Sequence, residues 1–239
     1  MTELLFILSM FFACFFQGVA GFGFALIAVP LVVTFLDKNV LISSLVIVGI
    51  FLNLILVRKI KFPVNKEIFY QLLFSSMLAM PLGLVVLKLI PINHLRILFG
   101  GLSMIFALLI CFSRIQFQRS RIATVIIGFI AGFFQTSTTM SGPPIVLYLS
   151  GSGMPKDEFR KTLATIFLLM NIASLPIFLF GGALDYKGIS LGMISLPFVS
   201  VGGILGNKIA RLVPQKRFNL MALGTVFIIG LIGIISGLG

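Results

Sequence analysis

The feature that most limits this chain is a succession of eight long stretches without a charged residue. They cover residues 4–36, 39–57, 68–87, 97–113, 122–155, 162–184, 188–207 and 218–239, separated by short basic segments. About 20 apolar residues in a helix cross the ~30 Å hydrocarbon core of a bilayer, where every backbone polar group must be satisfied internally. The period-2 alternation of a membrane barrel is absent. The fold class expected is therefore all-α, a polytopic integral membrane protein. Composition agrees: 59% of residues are apolar and 10% charged, against about 25% charged in a soluble domain, and the mean hydropathy is +1.19.

A net charge of +12 raises nucleic acid as a partner, but the basic residues sit between spans rather than on one basic helix or an aromatic-basic surface. The expected surroundings are a lipid bilayer, with no nucleic acid. Met1-Thr2-Glu3-Leu4 lacks the positive segment of a cleavable signal, so the first stretch is read as a membrane segment. Cys14 and Cys111 lie inside apolar runs and read as packing residues.

The chain repeats itself. Residues 83–101 resemble residues 206–224, with Gly83 matching Gly206, Lys88 matching Arg211, Pro91 matching Pro214 and Gly101 matching Gly224. Earlier in each half, Phe16-Gln17 matches Phe134-Gln135, and Asn53 matches Asn171. Two repeats are expected, 1–118 and 119–239, forming one membrane domain. The first holds a hairpin at 4–36 and helices at 39–57, 68–87 and 95–113. The second holds a hairpin at 122–150 and helices at 162–184, 188–209 and 218–237. The opening run of each half is too long for one span and tight for two, and each is broken near its middle. The breaks are Gln17-Gly-Val-Ala-Gly-Phe-Gly23 and Gln135-Thr-Ser-Thr-Thr-Met-Ser-Gly-Pro-Pro144. Glycine's backbone freedom and proline's missing donor interrupt helices at such places. Each run reads as a hairpin of two short helices meeting at membrane depth, where irregular backbone survives only when buried in protein or lining a cavity.

Orientation follows from lysine and arginine. Loops 58–66, 114–121, 151–161 and 208–217 hold 14 of the 18 basic residues, leaving Lys38, Lys88, Arg96 and Lys187 on the other side. The positive-inside rule puts those loops in the cytoplasm and both termini outside. The halves are then inverted relative to each other, as in many transporters.

No catalytic constellation is visible. The six acids (Glu3, Asp37, Glu67, Asp157, Glu158, Asp185) fall at the ends of spans or in loops, and His94 reads as a solvated loop residue. No metal-ligand spacing or phosphate loop is present, so the chain reads as a non-enzyme without cofactor or metal. Gly128 and Gly132, a small-xxx-small pair, read as helix packing. The groups left at depth are neutral donors and half-helix starts, and both suit a small anion. The candidate ligand-binding set is Gln17, Gly18, Gly21, Gly23, Asn53, Gln135, Thr136, Ser137, Thr138, Thr139, Ser141, Gly142 and Asn171.

Residues 128–149, Gly-Phe-Ile-Ala-Gly-Phe-Phe-Gln-Thr-Ser-Thr-Thr-Met-Ser-Gly-Pro-Pro-Ile-Val-Leu-Tyr-Leu, then Met154-Pro-Lys-Asp-Glu-Phe-Arg-Lys-Thr-Leu163 and Asn171, resemble the second half of the sulfite exporter TauE/SafE family. Gly18-x-x-Gly21-x-Gly23 with Pro30 resembles that family's opening signature. Thr136-Ser137-Thr138-Thr139 departs from the commoner, glycine-richer second break. The resemblance implies a bacterial inner-membrane permease for sulfite, sulfoacetate, thiosulfate or a related organosulfur anion. Competing readings are an importer, a cation or metal permease using carbonyls and hydroxyls of the breaks, and a non-transporting scaffold subunit. A homo-oligomer is compatible with all of them.

Overall fold

The structure, a computed structural model, describes residues 2–61, 63–64, 66–91, 94, 97–98, 101–102, 104–105, 108, 120–150, 154–210 and 212. Among the described residues the regular structure is entirely helical: α1 (Thr2–Ala20), α2 (Phe24–Val32), α3 (Lys38–Lys59), α4 (Lys66–Leu89), α5 (Arg121–Thr138), α6 (Gly142–Ser150), α7 (Lys156–Phe180) and α8 (Tyr186–Ile209). Six of these, all but α2 and α6, are long and apolar enough to cross a membrane. The helix expected at 95–113 lies mostly, and that at 218–237 wholly, outside the described residues, as do Cys111, Arg211, Pro214 and Gly224.

Each opening run folds as a helix, a break and a second helix, and the two arms are unequal, which corrects the expectation of two short helices. In each, a first arm of 19 or 18 residues is followed by a second of nine. At about 1.5 Å per residue the long arms are nearly 30 Å, whereas the short ones reach about 13 Å. The helix expected at 162–184 also begins earlier, at Lys156, because Pro155 is extended and tolerates the start of a helix. It ends at Gly181-Gly182, where Gly182 has φ +65°.

Glycines set the helix contacts. A side chain at Gly128 would meet Ser75 and Leu72, one at Gly132 the backbone of Ser76, and one at Gly83 Phe133 and Thr136, so α4 and α5 pack backbone to backbone and run in the same direction. The packing role expected of Gly128 and Gly132 is thus borne out. The same arrangement joins α1 to α8: Gly202 faces the carbonyl of Phe11, Gly206 that of Phe15, and Gly18 lies against Gly203 and Gly206. In a bilayer no hydrophobic force separates helices from lipid, so close approach over small residues is a main source of association. Next to them, Gly188 and Gly192 lie on Val40 and Ser44, so α3 runs parallel to α8. In contrast α7 runs antiparallel to α3: Lys161 Nζ donates to the carbonyl of Val57, while Asn171 sits beside Gly49.

Two lysines close helix ends in matching fashion. Lys38, first in α3, donates to carbonyls of Leu87 and Ile90 at the end of α4, each at 3.3 Å. Lys156, first in α7, donates to the carbonyl of Ala210 just past α8 at 2.7 Å. Both satisfy carbonyls that a helix terminus leaves open and place a cation at its negative end. Large apolar side chains of α4 and α5, among them Leu78 and Ile122, point away from the described helices and are exposed. On a membrane protein such a surface faces lipid tails.

Candidate functional site

The two breaks are built alike. Gly21 N–H closes α1 onto the carbonyl of Gln17 at 2.7 Å. The chain then turns through Gly21 (φ +86°) and Gly23 (φ +102°), a left-handed region that glycine enters without a Cβ clash. In the second break Thr139 takes that conformation at φ 58°, the one described non-glycine to do so. Residue numbers differ by 118 throughout: Gln17 and Gln135, Gly21 and Thr139, Phe24 and Gly142, Asn53 and Asn171.

Side chains follow the same plan. Gln17 Nε2 donates to Asn53 Oδ1 at 2.7 Å, and its Oε1 accepts the N–H of Phe24, the first residue of α2, at 3.2 Å. Gln135 Nε2 donates to Asn171 Oδ1 at 3.2 Å, and its Oε1 accepts from Ser141 Oγ at 2.6 Å. Each asparagine is anchored in turn, Asn53 Nδ2 to the carbonyl of Gly49 and Asn171 Nδ2 to that of Phe167, both at 2.7 Å. A glutamine thus ties the end of each long arm to the start of the short one and to the following helix. Buried amides at depth are stable only when bonded in this way.

Between the two bridges lies a cavity of about 40 Å³ whose polar lining includes Gln17, Asn53, Gln135, Thr139, Ser141 and Asn171. Gly23 and Gly142 also line it, with an apolar wall that includes Phe24, Leu45, Met140 and Phe167. That exceeds the roughly 10–15 Å³ a single water needs, so the cavity can admit a small polar ligand. Five expected residues are elsewhere. Thr136 Oγ1 donates to the carbonyl of Met80 on α4. Ser137 and Thr138 donate to carbonyls of Phe133 and Phe134 within their own helix. Gly18 packs on α8, and Gly21 on the side chain of Arg160. The apolar wall was not legible in sequence, because phenylalanine and leucine are everywhere in such a chain.

The two short arms offer different donors. A helix leaves its first amides without an intrahelical acceptor. In α2 the residues after Phe24 are Ala25 and Leu26, both lining the cavity and both carrying N–H groups. In α6 the corresponding positions are Pro143 and Pro144, which have none. Proline's fixed φ starts the helix well, but at these two positions only α2 carries backbone N–H groups.

One buried charge corrects the expectation of a wholly neutral interior. Arg160, expected in a loop, lies one turn into α7 with 3% exposure. Its Nη2 donates to the carbonyl of Gly18 at 2.6 Å and to Asn207 Oδ1 at 2.8 Å, while Nη1 lies 3.8 Å from Asp157. The guanidinium thereby caps the end of α1 beside the first break. The one sequence signal was Asp157 three residues earlier, an i,i+3 pair of the kind helices carry.

Fold and site together define a multi-pass helical membrane protein with an internal polar cavity between paired helix breaks. The chain belongs to the sulfite exporter TauE/SafE family, whose model matches residues 6–233. That is a transporter family. No curated protein and no solved structure matches the chain.

Proposed function

We propose that this protein is a permease that releases sulfite, or a related organosulfur anion such as thiosulfate or sulfoacetate, from the cytoplasm across the inner membrane, with the two breaks as its binding site. The observation that carries the reading is the convergence of both glutamine–asparagine bridges and the first residues of α2 on one small cavity. Amide and hydroxyl donors with a helix N-terminus fit an oxyanion, which accepts several hydrogen bonds at once. A cytoplasm-negative potential drives an anion outward by about 2.3 kcal/mol per charge per 100 mV, so export needs no coupled ion.

The same reading takes the two repeats as inverted, with the boundary near residue 118. Opposed directions of α3 and α7, and the matched end-closing by Lys38 and Lys156, support it. The basic ends of α3 and α8 then face the cytoplasm and both termini face outward. Single cysteines at exposed Lys59 or Lys61 (with Cys14 and Cys111 replaced) should resist an impermeant thiol reagent in intact cells. Labelling of either from outside would reverse the orientation.

Flux decides the function. Proteoliposomes should release sulfite or thiosulfate faster than empty vesicles, with no release of divalent cations. Metal flux without anion flux would sink the reading. Ala25→Pro copies the second break onto the first, removing one N–H from α2 at a position where Pro143 is accommodated. One lost charge-assisted bond corresponds to about 1.5–3 kcal/mol, so the half-saturating anion concentration should rise roughly ten- to a hundredfold. An unchanged concentration would show that α2 does not hold the anion.

A further inference from the structure

We propose that the cleft where α3 and α8 end and α7 begins is a second anion site, an entry vestibule that takes small oxyanions before they reach the central cavity. It rests on the transport reading above. The cleft has a volume of about 570 Å³ and is lined by Lys59, Lys61, Lys156, Arg160, Asp157 and Asn207 among others, four cations against one acid. At the opposite ends of α3 and α8 a cleft of similar size, about 640 Å³, carries Glu3, Asp37 and Lys187 as its charged lining. Clefts lined by one sign of charge concentrate ions of the other. The two ends of the bundle therefore differ in what they attract, and the basic end attracts anions.

Arg160 connects this cleft to the central site. It lines the cleft, yet its guanidinium reaches the carbonyl of Gly18, the neighbour of the cavity-lining Gln17. The position 118 residues earlier is Ile42, buried and apolar, so the first repeat has no such cation. An acidic group already marks where an anion would sit. The Asp157 side chain, 63% exposed, faces Arg160 Nη1 at 3.8 Å, too long for a direct hydrogen bond. A free oxyanion entering from the cleft replaces that carboxylate beside Nη1, while Nη2 keeps its bonds to Gly18 and Asn207. Asp157 is thus a competitor whose removal improves binding.

The test uses the purified full chain in proteoliposomes, with sulfite presented to one face at a time. At low ionic strength Lys59→Gln/Lys61→Gln should raise the half-saturating sulfite concentration on the basic face about three- to tenfold, and the difference should vanish at high salt. Asp157→Asn should shift it the other way. Lys88→Gln, at the far end of α4, should leave both faces unchanged. Among the cleft variants Arg160→Gln should raise the half-saturating concentration on the basic face most, and if it fails to fold the other variants decide. The proposal falls if Asp157→Asn and the double lysine variant match the parent on the basic face. If they match while Gln135→Ala stops flux, the central site stands and the vestibule does not. If the parent moves no sulfite, calorimetric titration of detergent-solubilised protein with sulfite decides. Heat kept in Gln135→Ala and lost in the double lysine variant supports the vestibule, and equal heats overturn it.

Discussion

Gln135→Ala is expected to slow sulfite release at least ten- to a hundredfold at normal expression, the largest functional loss from any single polar change. The substitution removes more than one contact. Ser141 loses the oxygen it donates to, Asn171 loses its amide donor, and the tie between α5 and the start of α6 disappears. Each partner left unsatisfied in a buried network costs about 1–3 kcal/mol. Gln17→Ala should behave similarly, since it strips Asn53 and the N–H of Phe24 of their partners. Thr34→Val, whose hydroxyl donates to the carbonyl of Leu31 in the connection after α2, outside the breaks, is the control. Initial flux rates, corrected for protein per vesicle, measure the effect. Unchanged rates for both glutamine variants would move the site away from the breaks.

Gly132→Leu should prevent assembly altogether, yielding protein that aggregates in mild detergent. The first added atom would already overlap the backbone of Ser76 on α4, and backbone cannot swing aside as a side chain does. Overpacking of this kind typically costs 1–3 kcal/mol even where neighbours can shift, and here α4 and α5 would have to separate along their length. Gly23→Ala is the informative contrast. No atom lies within 4 Å of a methyl group there, so its cost comes from φ +102° alone. A strained backbone of that kind costs about 1–3 kcal/mol, so the protein should assemble with lowered thermal stability and altered anion affinity. Monodispersity on size-exclusion chromatography separates the cases. A monodisperse Gly132→Leu protein would show that α4 and α5 do not pack through that glycine.

Much of the architecture was written in composition and spacing. Charge-free runs near 20 residues leave helices as the one way to pair their backbone in lipid, so α3, α4 and α8 start within two residues of where the runs place them. The breaks were legible because glycine, proline and a cluster of hydroxyl residues are costly in a lipid-facing helix. Gln17, Asn53, Gln135 and Asn171 stood out as amides repeated in register, and all four line the cavity. Their hydrogen bonds were not legible, since pairing across 36 residues depends on how α1 meets α3 and α5 meets α7. Nor was the division of labour among Thr136, Ser137, Thr138 and Thr139. Thr136, Ser137 and Thr138 end α5 and face directions about 100° apart, whereas Thr139 leaves the helix in the left-handed turn. Only the packing of α4 against α5 decides that Thr136 meets Met80, and only the turn decides that Thr139 meets the cavity. Arg160 shows the same limit for charge. By itself the sequence determined a repeated bundle of membrane helices with two polar interruptions, because lipid allows so few alternatives. Tertiary structure alone decided that this arginine is buried against Gly18 and Asn207, because a long side chain's environment is set by the helices that close over it.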